Sequence, residues 1–153
     1  MISTTITNWQ QYIILAYTAI AIVLGLFAIY KCRGGQSHQK FALLLLIGSF
    51  VWGDALIFSA FWALAGAIAL FFDSWFLFQV IFLVFWLIRS AGETIYWLMQ
   101  QFSNIIREKP EKVWTFRFVK SNAAWFLMQI WWQTITIASL VLLILLITST
   151  FLD

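Results

Sequence analysis

Charged side chains are scarce in this 153-residue chain: they make up 10% of it, against 63% hydrophobic residues. A typical soluble domain is about 25% charged and about 45–50% apolar. A water-soluble fold of this size cannot cover so much apolar surface, whereas a bilayer accepts it. Cysteine occurs once, as Cys32, which excludes an internal disulfide and a CxxC redox pair. Beside Lys31 and Arg33 it reads as a free thiol at a helix end, with a lipidated juxtamembrane cysteine as the less favoured alternative. Histidine also occurs once, as His38, so two-histidine haem ligation and a His-rich metal site are excluded. No serine triad assembles naturally around it. GxSxG, HExxH, P-loop and GxGxxG patterns are missing, and no lysine lies inside an apolar run to form a retinal Schiff base. The expectation is a protein without catalytic residues, cofactor or metal.

What is present is a series of long apolar runs. The first, Tyr12 to Tyr30, is uncharged and follows Trp9. At roughly 1.5 Å per residue it crosses a hydrocarbon core of about 30 Å, giving a span over 10–30. Lys31–Lys40, with Gly34-Gly35, reads as a loop. The second run extends from Phe41 to Phe72 and is broken only by Asp54. Its span, 41–71, exceeds one crossing, so a tilt, a protrusion or a kink near Gly48, Gly53 or Gly66 is expected. Asp73-Ser74 reads as a tight turn and N-cap, with Ala65-Gly66-Ala67 as the alternative bend. The third span, 75–100, contains Arg89 and Glu93, and the fourth, 123–150, carries no charge.

Past the third span, Ile95, Leu98, Phe102, Ile105 and Ile106 recur at helical spacing, with Gln100, Gln101, Ser103, Asn104 and Arg107 on the other face. This predicts an amphipathic extension that Pro110 ends. In Val113–Lys120, Trp114, Phe116 and Phe118 alternate with Thr115 and Arg117. That pattern reads as a segment lying in the membrane interface, with a short strand as the alternative. The fold class is therefore all-α: one integral membrane domain, a bundle of four transmembrane helices, with an amphipathic, interfacial cytoplasmic segment between helices 3 and 4. Ala21 with Gly25, and Ser59 with Ala63 and Ala67, form stripes of small residues suited to close helix packing. Trp9 and Trp75 fit an outer aromatic belt, and Trp114 and Trp125 an inner one. The aromatic second hairpin reads as lipid-facing bulk rather than a lipid or quinone groove. No internal repeat supports an inverted-repeat transporter.

The net charge of +3 does not point to nucleic acid, because eight of the nine Lys and Arg residues fall in the loops after spans one and three. Lys31, Arg33 and Lys40 form one cluster, and Arg107, Lys109, Lys112, Arg117 and Lys120 the other. The positive-inside bias makes both loops cytoplasmic and both termini non-cytoplasmic, in a plasma or inner membrane. The segment before the first span has no basic residue, the pattern of an uncleaved first helix.

Asp54, Arg89 and Glu93 are the charges within the spans. An ionised side chain at the bilayer centre costs between about 2.5 and over 10 kcal/mol, so each must pair or meet water. Arg89 and Glu93 are four residues apart on one helix and can touch. A turn at Asp73 would bring Asp54 level with Glu93, about 20 Å from Lys40. Two carboxylates around one arginine leave a charge of −1, which a proton or cation would cancel. The favoured reading is a buried structural clamp in which Asp54 still balances Arg89 when Glu93 is neutralised. The alternative is a proton or cation site. Gln129, Gln133 and Thr136 share a face of span four and either bond between helices or line a polar path. Two functions follow: a non-enzymatic structural or accessory subunit, or a small proton- or cation-coupled transporter or channel. The expected partners are the lipid bilayer, a second copy of the chain or other subunits of a membrane complex.

Overall fold

The structure is a computed structural model that describes residues 6–103 and 109–151, with only the backbone of Phe151. Its four long helices are α1 (Asn8–Arg33), α2 (Trp52–Phe71), α3 (Trp75–Phe102) and α4 (Ala123–Phe151). All four are long and apolar enough to cross a membrane. Among the described residues the only extended pairing is an isolated bridge between Lys40 and Val51, so the all-α expectation holds. The chain forms two compact units, residues 1–81 and 82–153.

In the first unit α1 and α2 are antiparallel neighbours. Thr7 caps α1 through a capping box in which the Gln10 side chain accepts the Thr7 N–H at 2.9 Å. Ala21, Gly25 and Ala28 of α1 and Ala55, Ser59, Gly66 and Ala69 of α2 are buried. A Cβ on Gly25 would stand 2.8 Å from the Ser59 Cβ, and one on Gly66 would stand 1.9 Å from the Thr18 hydroxyl. At both positions the facing side chain, Ser59 or Thr18, occupies the place a Cβ would take. The expected stripe of Ser59, Ala63 and Ala67 is only partly used, since Ala67 is exposed. The seam instead follows residues 55, 59, 62, 66 and 69, a spacing of about 3.5 that keeps one face on a partner helix.

The turn between α2 and α3 is at Asp73, in the left-handed region (φ 47°). Ser74 caps α3 by accepting the Leu77 N–H at 3.2 Å. Ala65-Gly66-Ala67 lies inside α2 and makes no bend. Trp75 meets Trp9 edge-on at 5.6 Å, while Ile14, Ala69 and Phe78 close the core at this end.

The largest departure from the sequence reading is in residues 41–51. They do not begin a long helix. Ala42–Ile47 form a 3-10 turn, Gly48 reverses the chain with φ 81°, and Val51 pairs with Lys40. The segment thus leaves and returns at one level. Its tip lies against the middle of the α1–α2 pair, where the Tyr17 hydroxyl donates to Leu46 O at 2.6 Å and Trp62 Nε1 donates to Ile47 O at 3.2 Å. Leu44 and Ile47 are buried, while Phe41, Leu43, Leu45 and Leu46 are exposed. This loop absorbs the surplus length of the second run, and the remaining helix, α2, has 20 residues. That matches a hydrocarbon core of about 30 Å.

In the second unit, α3 ends at Phe102 and Ser103 closes on Met99 O at 2.9 Å. The expected continuation through Asn104, Ile105, Ile106 and Arg107 lies outside the described residues. The connector that follows is neither strand nor helix proper, but two 3-10 turns, Pro110–Lys112 and Trp114–Arg117.

Candidate functional site

The charges within the apolar helices are the residues read from the sequence as a structural clamp or, alternatively, a proton or cation site. Arg89 and Glu93 meet as the i,i+4 pair, with Arg89 NH1 2.5 Å from Glu93 Oε1 and both side chains largely covered. The other carboxylate oxygen accepts the Trp97 indole N–H at 3.1 Å. Three side chains spaced four residues apart on α3 therefore form a chain in which one carboxylate serves a cation and an indole. Helical geometry alone brings them together.

Asp54 lies on α2, in the other compact unit. It is exposed in the first turn of α2. Among the described residues no buried cluster of three charges is present. The sequence depth estimate counted from Lys40 along a continuous helix. Residues 41–51 in fact form the returning loop, so α2 starts at Trp52 and Asp54 lies about 3 Å from its end. Gly53 N–H donates to Ser37 O at 3.0 Å, which ties this helix start to the polar loop. A carboxylate in the first turn also sits favourably at the positive end of the helix dipole. Glu93 lies 18 positions past Trp75, roughly 27 Å along α3, so it too sits towards the far end of its span.

A row of side-chain hydrogen bonds joins α3 to α4. Gln101 Nε2 donates to Gln129 Oε1 at 2.7 Å and to Trp97 O at 3.2 Å. Thr136 Oγ1 donates to Ser90 Oγ at 2.9 Å, and the Ser90 hydroxyl donates to Trp86 O at 2.5 Å. Gln129 and Thr136 each bond to a side chain of α3. Gln133 is exposed. Ser90, Trp97 and Gln101 were not singled out from the sequence. The usable signal was their spacing, one and two turns from Arg89 and Glu93, but Ser, Trp and Gln at such positions occur in many helices.

The carboxylate groups do not resemble a metal centre: among the described residues no group of three or more His, Cys, Asp or Glu side chains comes together. Comparison with protein-family models, with curated proteins and with solved structures finds no match.

Proposed function

We propose that this chain is a multi-pass membrane protein acting as a non-enzymatic structural or accessory subunit, with Arg89–Glu93 as an internal clamp. The observation that supports this reading most is the closed bonding of Glu93. Both of its oxygens are engaged, one by Arg89 and one by Trp97. The Arg89–Glu93 pair is itself neutral, and both oxygens of its carboxylate are already engaged. All three partners lie on α3, so the contacts neutralise charge within that helix and keep its carboxylate satisfied. In a bilayer, residues 41–51 become a re-entrant loop in the leaflet nearer Lys40. Irregular backbone at that depth is tolerated where protein groups satisfy it, as Tyr17 and Trp62 do here for two carbonyls.

The basic loops face the cytoplasm in this reading and both termini lie on the other side of a plasma or inner membrane. Cys32, half-buried and free, reports this orientation. A membrane-impermeant maleimide added to intact cells leaves it unlabelled, and label appears after permeabilisation. Strong labelling of intact cells reverses the topology.

The functional test is ion flux. Proteoliposomes containing the wild-type chain should dissipate an imposed proton or alkali-cation gradient no faster than protein-free vesicles. A flux that the wild type supports and Glu93→Gln abolishes would establish the transporter reading instead.

A further inference from the structure

We propose that the connector between α3 and α4 holds the headgroup of an anionic phospholipid. Lys109, Lys112, Arg117 and Lys120 are all exposed there, against a single acidic residue, Glu111, between 109 and 120. Four cations and one carboxylate leave a charge of +3. Among the described residues none of the four is in a salt bridge.

Residues 113–118 of the connector are tied to α4. The Thr115 hydroxyl, buried, donates to Ala124 O at 2.7 Å, and Val113 is buried beside it. Trp114 meets Trp131 edge-on at 5.9 Å and Phe118 at 6.0 Å. Trp131 lies eight positions into α4, so Trp114 reaches along the first two turns of a helix apolar enough to span. Yet Trp114 and Phe118 keep 50% and 73% of their surface exposed.

The same stretch of chain therefore presents two exposed aromatic rings and four exposed cations. Indole and phenyl rings of this kind sit at the headgroup level of a bilayer. α4 begins three positions past Lys120, at Ala123, and adds the positive end of its dipole. A ligand that fits has a negative phosphate and an acyl chain in one molecule, which an anionic phospholipid supplies and a zwitterionic one does not match in charge. Each basic residue near a membrane surface contributes about 1 kcal/mol towards anionic lipid, about fivefold in affinity. The proposal rests on the chain lying in a bilayer and is independent of any partner subunit or flux.

The test uses the full chain purified in a non-ionic detergent and titrated with short-chain phosphatidylglycerol or phosphatidylcholine. Retained lipid is counted by native mass spectrometry. Wild type should retain phosphatidylglycerol at least about tenfold more tightly than phosphatidylcholine, and added salt should erode the preference. The triple variant Lys112→Gln, Arg117→Gln, Lys120→Gln should lose the preference without a change in helix content, because all three side chains are exposed. Trp114→Ala should weaken both lipids together. Equal retention of the two lipids by wild type, or an undiminished preference in the triple variant, overturns the proposal. So does glycerol phosphate competing as strongly as the lipid. Extraction of the chain from membranes by alkaline carbonate would instead overturn the membrane reading beneath it.

Discussion

The two helix pairs have similar apolar length but are held in different ways. Between α1 and α2 the contact surface is made of Ala, Gly and Ser, with Gly25 against Ser59 and Gly66 against Thr18. Between α3 and α4 the contacts shown are side-chain hydrogen bonds, Gln101–Gln129 and Ser90–Thr136. Lipid tails are as apolar as leucine, so burial of apolar surface does not drive helices together in a bilayer. Close van der Waals approach and interhelical hydrogen bonds remain. The first pair uses mainly the former and the second uses the latter. The first should fail steeply when any bulk is added. The second should tolerate loss of a single bond.

Gly66→Leu is the strongest way to break this contrast. The added side chain meets Thr18 where even a Cβ has no room. Overpacking of this kind typically costs about 1–3 kcal/mol, and here the helices must also separate, so the upper end is expected. Thermal melting in detergent should fall sharply. A melt within a degree or two of wild type would mean that the α1–α2 seam is not closely packed.

A middle-sized effect is expected at the returning loop. Tyr17→Phe removes only the hydroxyl that donates to Leu46 O, a change worth roughly 0.5–1.5 kcal/mol. In a Cys32→Ala background, a cysteine placed at Leu46 should resist water-soluble maleimide from either side, and Tyr17→Phe should raise its labelling rate. Rapid labelling of Leu46→Cys without the Tyr17 change would place the loop in water.

The smallest effect belongs to the second pair. Gln101→Ala removes the bond to Gln129, and single interhelical bonds in membrane proteins average about 0.6 kcal/mol. Its melt should drop much less than that of Gly66→Leu. The reverse order would invert the comparison.

Much of the fold was legible because it depends on patterns that act locally. Long apolar runs marked the four helices, and Asp73-Ser74 marked the turn, its aspartate left-handed and its serine capping. Arg89 and Glu93 were legible as a pair because helical spacing suffices. Residues 41–51 were not. Ala-Leu-Leu-Leu-Leu-Ile has the composition of a helix, and its turn is imposed by tertiary contacts. Gly48 reverses the chain, and Tyr17 and Trp62, from two other segments, bind its carbonyls. Periodicity cannot report such contacts. That one misreading also displaced Asp54, since every depth beyond Lys40 was counted along a helix that begins eleven residues later than assumed.

The position of Asp54 changes what the clamp should do when cut. With Asp54 exposed in the first turn of α2, neutralising Glu93 is expected to cost as neutralising Arg89 does, because either partner alone leaves the other in a poorly solvating environment. The most direct test of the clamp is a double-mutant cycle of Arg89→Leu, Glu93→Leu and the two combined, read by thermal melting in detergent. Each single variant should melt well below wild type, and the combined variant should recover a substantial part of the loss, because it removes both charges. Single variants that melt like wild type, or a combined variant whose loss equals the sum of the two, would contradict the clamp.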